Sequence, residues 1–183
     1  MTGVSKPALR PMLPADVSLL AAIFRDAIER IASEDYSEAQ CKAWSSRADD
    51  EDEFGDHLAK RLTLVATIDA EPVGFATLEG NNQIDMLYVH PAVARQGVAT
   101  LLLDALEKLA GARGAAELRA DVSDTAQPLF AKRGFVAQQR NTVLIDDEWL
   151  GNTAMKKQLK DVNSVATTMM HSADDIGRKR KPH

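Results

Sequence analysis

The sequence predicts one α+β domain, a mixed and mostly antiparallel sheet flanked by helices. Residues 62 to 89 hold three consecutive strand-like segments, the first rich in β-branched residues, separated by turn residues, which reads as an antiparallel meander. A strong amphipathic helix follows at once and leads to a further strand, so one crossover joins two parallel strands, and it is expected to be right-handed. Two extended segments near residue 150 then close the domain as a hairpin. At 183 residues the chain fits a single domain.

The elements follow in order. Leu9 and Arg10 suit a short first strand, and Pro14-Ala15-Asp16 opens a helix. Leu19, Leu20, Ile23, Phe24, Ala27, Ile28 and Ile31 recur at helical spacing, so that helix is expected to bury one face. Ser37-Glu38-Ala39-Gln40 has capping-box form and starts a second helix through Trp44. Phe54 to Arg61 forms a third, short helix. Leu62 to Asp69, Val73 to Glu79 and Gln83 to Val89 are the meander strands, with turns at Asp69 to Pro72 and Gly80 to Asn82. Val98, Leu101, Leu102, Ala105, Leu106 and Leu109 mark the buried face of the long helix, and Gly111 suits its end. Glu117 to Val122 is a strand, and Ala126 to Arg133 a short helix stopped by Gly134. Val136 to Ile145 and Trp149 to Lys156 make the hairpin.

Composition narrows the function. The hydrophobic fraction is 45% and the charged fraction 27%, values of an ordinary globular protein. No apolar run is long enough for a membrane span, and the N-terminus lacks the apolar stretch of a signal peptide, so a cytoplasmic protein is expected. Cys41 is the only cysteine, which excludes an internal disulfide and a Cys-based zinc site, and no metal is expected. The net charge of −5 argues against nucleic acid as a partner and is compatible with an amine substrate. The acidic run Asp49 to Glu53 reads as a solvated loop or helix start. Residues 159–183 are polar and end in a basic stretch, Arg178 to Lys181, which reads as a disordered tail.

The segment from Ile84 to Leu103 carries the chemistry. A strand runs into a loop containing Gly97, and a helix opens immediately. The first turn of a helix has unpaired N–H groups and the positive end of the dipole, which together suit an anion. Gly97 permits close approach of the backbone, Ala99 is small, and Arg95 adds positive charge. Neither the P-loop pattern nor the dinucleotide fingerprint is present.

Four segments in order and spacing resemble the GCN5-related N-acetyltransferase (GNAT) family over residues 7–158. These are Leu9-Arg10-Pro11 with Asp16, Pro72-Val73-Gly74-Phe75, Leu87 to Pro91 followed by Arg95-Gln96-Gly97-Val98-Ala99, and Ala126 through Phe130 to Phe135. Within the family the chain resembles the YafP-type branch. The shared residues are Ala32-Ser33, Tyr36, Gln40, Trp44, Ile84 to Leu87, Asp121, Ser123, Trp149, Asn152 and Met155.

The resemblance implies that the fourth and fifth strands splay apart and that acetyl-CoA lies in the gap. The backbone of Leu87, Tyr88 and Val89 would pair with pantetheine. Arg95, Gln96, Gly97, Val98, Ala99 and Thr100 would hold the pyrophosphate, with Ser123 and Phe130 also on the coenzyme. A primary amine, expected to belong to a small molecule since nothing in the sequence suggests a peptide groove, would attack the thioester directly. Ala94 stands where the family usually has Gln or Arg, Ser123 where Asn is frequent, and Phe130 where a tyrosine protonates the leaving thiolate.

Loss of that tyrosine turns attention to other ionisable groups. Asp85 is the first choice as base. Strand alternation would put its side chain on the face of Leu87 and Val89, and a free carboxylate with a pKa of about 3.9 is ionised at neutral pH. Its structural alternatives are a solvated sheet residue or a partner for Arg119. Asp121 at the end of the fifth strand is either catalytic or a cap for the next helix. Tyr36 could donate its hydroxyl from the substrate wall, and Trp44 would serve as wall or core. His57 and His90 read as structural, on a surface helix and in a His-Pro turn. A non-catalytic acyl-CoA-binding sensor is the alternative function, a nucleic-acid role through the basic tail is weaker, and a homodimer is left open.

Overall fold

The computed structural model describes residues 5–160. The strands are β1 (Ala8–Pro11), β2 (Leu62–Ile68), β3 (Glu71–Glu79), β4 (Gln83–Val89), β5 (Glu117–Ser123), β6 (Val136–Ile145) and β7 (Glu148–Gln158). The helices are α1 (Val17–Arg30), α2 (Glu38–Ser45), α3 (Glu51–Ala59), α4 (Val98–Ala112) and α5 (Gln127–Lys132). The strands form one sheet of order β1-β2-β3-β4-β5-β7-β6. Its one parallel pair, β4 with β5, is the crossover around α4. That pairing is confined to Gln83↔Arg119 and Ile84↔Ala120. Beyond it β4 and β5 diverge, while β5 keeps its full ladder with β7.

Each face of the sheet buries its own core. Leu20, Phe24 and Ile28 of α1, with Phe54 and Leu58 of α3, cover one face through Val65 and Phe75. Val98, Leu102, Leu103, Leu106 and Ala110 of α4 cover the other, with Phe130 and Phe135. Alternation along β3 sends Phe75 to the first layer and Ala76 to the second. At Gly74 an added Cβ would meet the Tyr88 carbonyl oxygen at 3.0 Å and Val98 at 3.3 Å, so glycine lets α4 lie close on the β3–β4 pair.

Several local expectations need correction. Leu19 is 48% exposed, because α1 sits on the sheet through the stripe of Leu20, Ile23, Phe24, Ala27 and Ile28. The α4 stripe includes Leu103 and Ala110 among its fully buried residues, which the 3-4 spacing had not selected. Gly111 lies inside α4, and the left-handed residue that follows the helix is Gly114, with φ +85°. Helix α3 starts three residues before Phe54, at Glu51. There the Asp50 side chain accepts from Glu53 N–H, and the acidic run lies on the positive end of the helix. Residues Asp69 and Ala70 both have positive φ, 51° and 69°, as a two-residue hairpin turn requires. The packed chain also extends into the expected tail: Leu159 N–H donates to the Ala116 carbonyl at 2.8 Å. The rest of that tail, 161–183, lies outside the described residues.

Candidate active site

Where β4 and β5 diverge, a cavity of about 270 Å³ opens on the α1–α3 side of the sheet. Tyr36 walls it from the α1–α2 connection, Trp44 from α2 and Arg47 from the turn after α2, with Asp85 and Tyr88 from β4 and Asp121 and Ser123 from β5. The β6–β7 hairpin closes it through Val143, Leu144, Leu150 and Asn152. Asn152 Oδ1 is buried with no hydrogen-bond partner among the described residues, so an acceptor stands ready on the wall.

The position of Asp85 follows from a bulge. Leu78 pairs with Ile84 and Thr77 with Met86, so Asp85 is the extra residue on β4. The Thr77 hydroxyl takes the place of a ladder partner and accepts from Met86 N–H at 3.0 Å. Strict alternation fails here. Leu87 and Val89 pack on the α4 side, whereas Asp85 turns to the α1–α3 side. There its Oδ2 lies 2.7 Å from His57 Nε2 and 3.0 Å from Arg61 Nε. Arg61 also donates to the His57 carbonyl and to Glu79 Oε1, both at 3.0 Å. His57 sits on α3 as expected, and its contact is with the cavity carboxylate. Arg119 is not the partner of Asp85, because it pairs with Glu117.

The other sequence-derived residues separate by role. The Tyr36 hydroxyl donates to the Gly151 carbonyl at 2.6 Å and accepts from Asp124 N–H at 2.9 Å. Burial raises its pKa, so the phenol stays protonated and committed to the backbone. Asp121 is exposed and lines the cavity, and it does not cap α5, whose N-cap Ala126 has no side-chain bond; in the turn before that helix the Ser123 Oγ accepts from Ala126 N–H at 3.2 Å. Trp44 meets Tyr36 edge-on at 5.5 Å and Tyr88 at 6.3 Å, so it is wall and core at once. Tyr88 packs against Phe24 at 4.6 Å, and burial drives its hydroxyl pKa upward. Phe130 is not in the cavity wall; it is buried against Phe135 beneath α4. His90 keeps its turn role, its Nδ1 accepting from Ala92 N–H at 3.1 Å.

On the other side of β4, the loop before α4 leaves backbone N–H groups without helical partners. Arg95 and Gly97 both adopt left-handed backbone, with φ 61° and 85°. Gly97 is the N-cap of α4 and offers no capping side chain. The first bond of the helix runs from Leu101 N–H to the Gly97 carbonyl at 3.0 Å, so the N–H groups of Val98, Ala99 and Thr100 precede the helical ladder. No acidic residue occupies that turn. Arg95, Gln96 and Gly97 are exposed around it.

Comparison with known proteins points the same way. A family model described as an acetyltransferase (GNAT) domain matches residues 32–159. The Escherichia coli (strain K12) protein YafP, described as an uncharacterized N-acetyltransferase, is 38% identical over 148 residues, 81% of this chain and 93% of its own length. A crystal structure of a GCN5-related N-acetyltransferase from Rhodopseudomonas palustris is 57% identical, with a TM-score of 0.83, covering 87% of this chain and 99% of that one. The PaiA N-acetyltransferase from Thermoplasma acidophilum, solved in complex with coenzyme A, shares the fold at a TM-score of 0.70 with 19% identity, covering 84% of this chain and 99% of its own.

Proposed function

This chain belongs to the GCN5-related N-acetyltransferase family, and from that premise we propose that it transfers the acetyl group of acetyl-CoA to a primary amine of a small molecule. The observation that carries the reading is the opening between β4 and β5. It has an anion-shaped helix start on one side and a walled cavity with carboxylates on the other.

The coenzyme would lay its pyrophosphate on the N–H groups of Val98, Ala99 and Thr100, with Arg95 adding charge. Pantetheine would run along the backbone of Leu87 to Val89, left without a strand partner on the β5 side. The thioester would then reach the cavity, where the amine enters. A cavity of about 270 Å³ suits a small acceptor better than a folded protein surface. Asp85 and Asp121 supply negative charge for the amine, and Trp44 and Tyr88 supply apolar wall. Attack forms the C–N bond and puts charge on the carbonyl oxygen, which a backbone N–H near Val89 can stabilise. Asp85 would take the amine proton. With Phe130 in place of a tyrosine, coenzyme A leaves as thiolate or is protonated by water.

Phe130 also favours a second reading, a module that binds acyl-CoA without turning it over. Thiol release from acetyl-CoA, measured with a panel of aliphatic, aromatic and amino-acid amines, separates the two. Amine-dependent release is expected. Tight binding with no release by any amine would overturn catalysis and leave the sensor.

A further inference from the structure

Resting on the acetyl-transfer reading above, we propose that the acceptor amine carries a carboxylate on the same small molecule, as an amino acid does, and that Arg47 is the residue that selects it. Arg47 stands on the turn after α2 and is the one cation among the residues that wall the cavity. Its guanidinium makes no ion pair or hydrogen bond with the described residues. By contrast, Arg61 is held by Asp85, Glu79 and the His57 carbonyl, and Arg140 on the hairpin by Asp124.

The two carboxylates of the wall are not equivalent. Asp85 is already met by Arg61 Nε at 3.0 Å and by His57 Nε2 at 2.7 Å. Asp121 is exposed and has no such partner among the described residues. The cavity therefore presents an open guanidinium as well as an open carboxylate. An amine without an acidic group answers Asp121 and leaves Arg47 idle, whereas a zwitterion answers both. A guanidinium offers parallel N–H donors in a planar fork, which matches the two oxygens of a carboxylate.

Tyr88 shows that Arg47 reaches the part of the cavity where the amine would react. Its hydroxyl feels opposite charges, Arg47 favouring the ionised phenol and Asp85 opposing it. Arg47 and Asp85 thus act on one group without pairing with each other, and a short molecule with both charges fits between such partners. The rest of the wall is apolar, with Trp44 and Tyr88 on one side and Val143, Leu144 and Leu150 of the hairpin on the other. The acceptor is therefore an amino acid with an apolar side chain.

The test uses the full chain and L-leucine, L-methionine and L-phenylalanine, each paired with its carboxamide. The carboxamide keeps the amine and the side chain and loses only the negative charge. Its amine is the less basic of the two, so basicity alone would favour the amide. With acetyl-CoA, kcat/KM for the acids is expected to exceed that for the amides about tenfold or more, the scale of a charge-assisted hydrogen bond. Arg47→Gln should bring that ratio close to one, mainly by raising the KM of the acid, and Arg47→Lys should keep part of it. Equal use of acids and amides by the unmutated chain, or a preference unchanged in Arg47→Gln, would overturn the proposal and leave acetyl transfer intact. A second arm needs no turnover: calorimetry of L-phenylalanine against the chain saturated with desulfo-CoA should show binding that Arg47→Gln loses. Equal binding by the two chains would sink the Arg47 assignment. Arg47-dependent binding with no turnover of any amine would instead support the subsite and overturn the transfer reading.

Discussion

The hydroxyl of Tyr36 donates to the carbonyl of Gly151 at 2.6 Å, across 115 positions of sequence. The same oxygen accepts from Asp124 N–H at 2.9 Å. One phenol thus ties the substrate wall to β7 and to the turn after β5. The Arg140 guanidinium lies over Gly151, where a Cβ would collide with it, and forms a two-pronged pair with Asp124. Tyr36→Phe leaves a half-buried carbonyl and N–H without this partner. It should cost about 1 kcal/mol, read by urea denaturation. Desulfo-CoA affinity should persist, because the helix start that would hold the pyrophosphate is untouched. Unchanged stability would mean the latch is not formed in solution.

The two tyrosines of the site give an alkaline prediction. Burial raises the pKa of Tyr88 and of Tyr36 above the ordinary phenol value of 10.0. In the unfolded chain each phenol ionises near that value, while the folded protein holds its proton. Stability is therefore fully present below about pH 10 and falls as pH rises beyond it. Tyr88→Phe should flatten that fall in a series of melting curves from pH 8 to 11. A fall of equal steepness in the variant would assign the effect elsewhere.

A second pH response lies at the acid end. Asp16, 5% exposed, accepts from both terminal nitrogens of Arg10 at 2.6 and 2.8 Å and from Leu13 N–H at 2.7 Å. The Arg10 hydrogen bonds hold its pKa below the ordinary 3.8. This contribution is present above that value and is lost as pH falls through the depressed folded value. Asp16→Asn should be less stable than the parent by about 1–3 kcal/mol at pH 7, and the gap should narrow as pH falls below 3.8. A gap independent of pH would point to packing instead of charge.

Most of the fold was legible because periodicity reports burial. The meander, the amphipathic α4 and the closing hairpin each bury one clear face, and the Ser37–Gln40 capping box forms with both of its bonds. What was not legible has a local cause. The bulge at Asp85 adds one residue to a strand, and a period-two reading then assigns the side chain to the wrong face. His57 is one turn before Arg61, and only the fold brings both to Asp85. Arg61 lies just beyond the end of α3 and reaches back to the His57 carbonyl, a contact that spacing alone does not show. Phe130 was placed by a family pattern, but its burial beneath α4 could not be read from spacing.

The helix start of α4 gives the coenzyme prediction. Gly97 has φ +85° and no heavy atom within 4 Å of an added Cβ, so a side chain there meets backbone strain and the space the pyrophosphate would use. Gly97→Glu adds a negative charge at that point as well. Calorimetry with desulfo-CoA should detect no binding. Unchanged affinity in a folded variant would move the coenzyme off this helix.

Asp85 bears the chemical prediction. Its Oδ2 is engaged by His57 and Arg61, so the carboxylate is held in place before any substrate arrives. A positioned base contributes in the transition state, where the attacking nitrogen becomes acidic, and much less in binding the coenzyme. Asp85→Asn should therefore lower kcat/KM about a hundredfold or more while acetyl-CoA affinity barely changes. Asparagine is nearly the same shape, and Arg61 keeps Glu79 as its counter-ion at 3.0 Å, so the variant is expected to fold. Much of the lost rate should return at high pH, where the amine is increasingly free and hydroxide can take its proton. A loss that persists at high pH would make Asp85 an anchor for the ammonium form instead of a base. No loss at all would shift the role to Asp121, the exposed carboxylate across the cavity, since the hydroxyl of Tyr36 is already spent on Gly151.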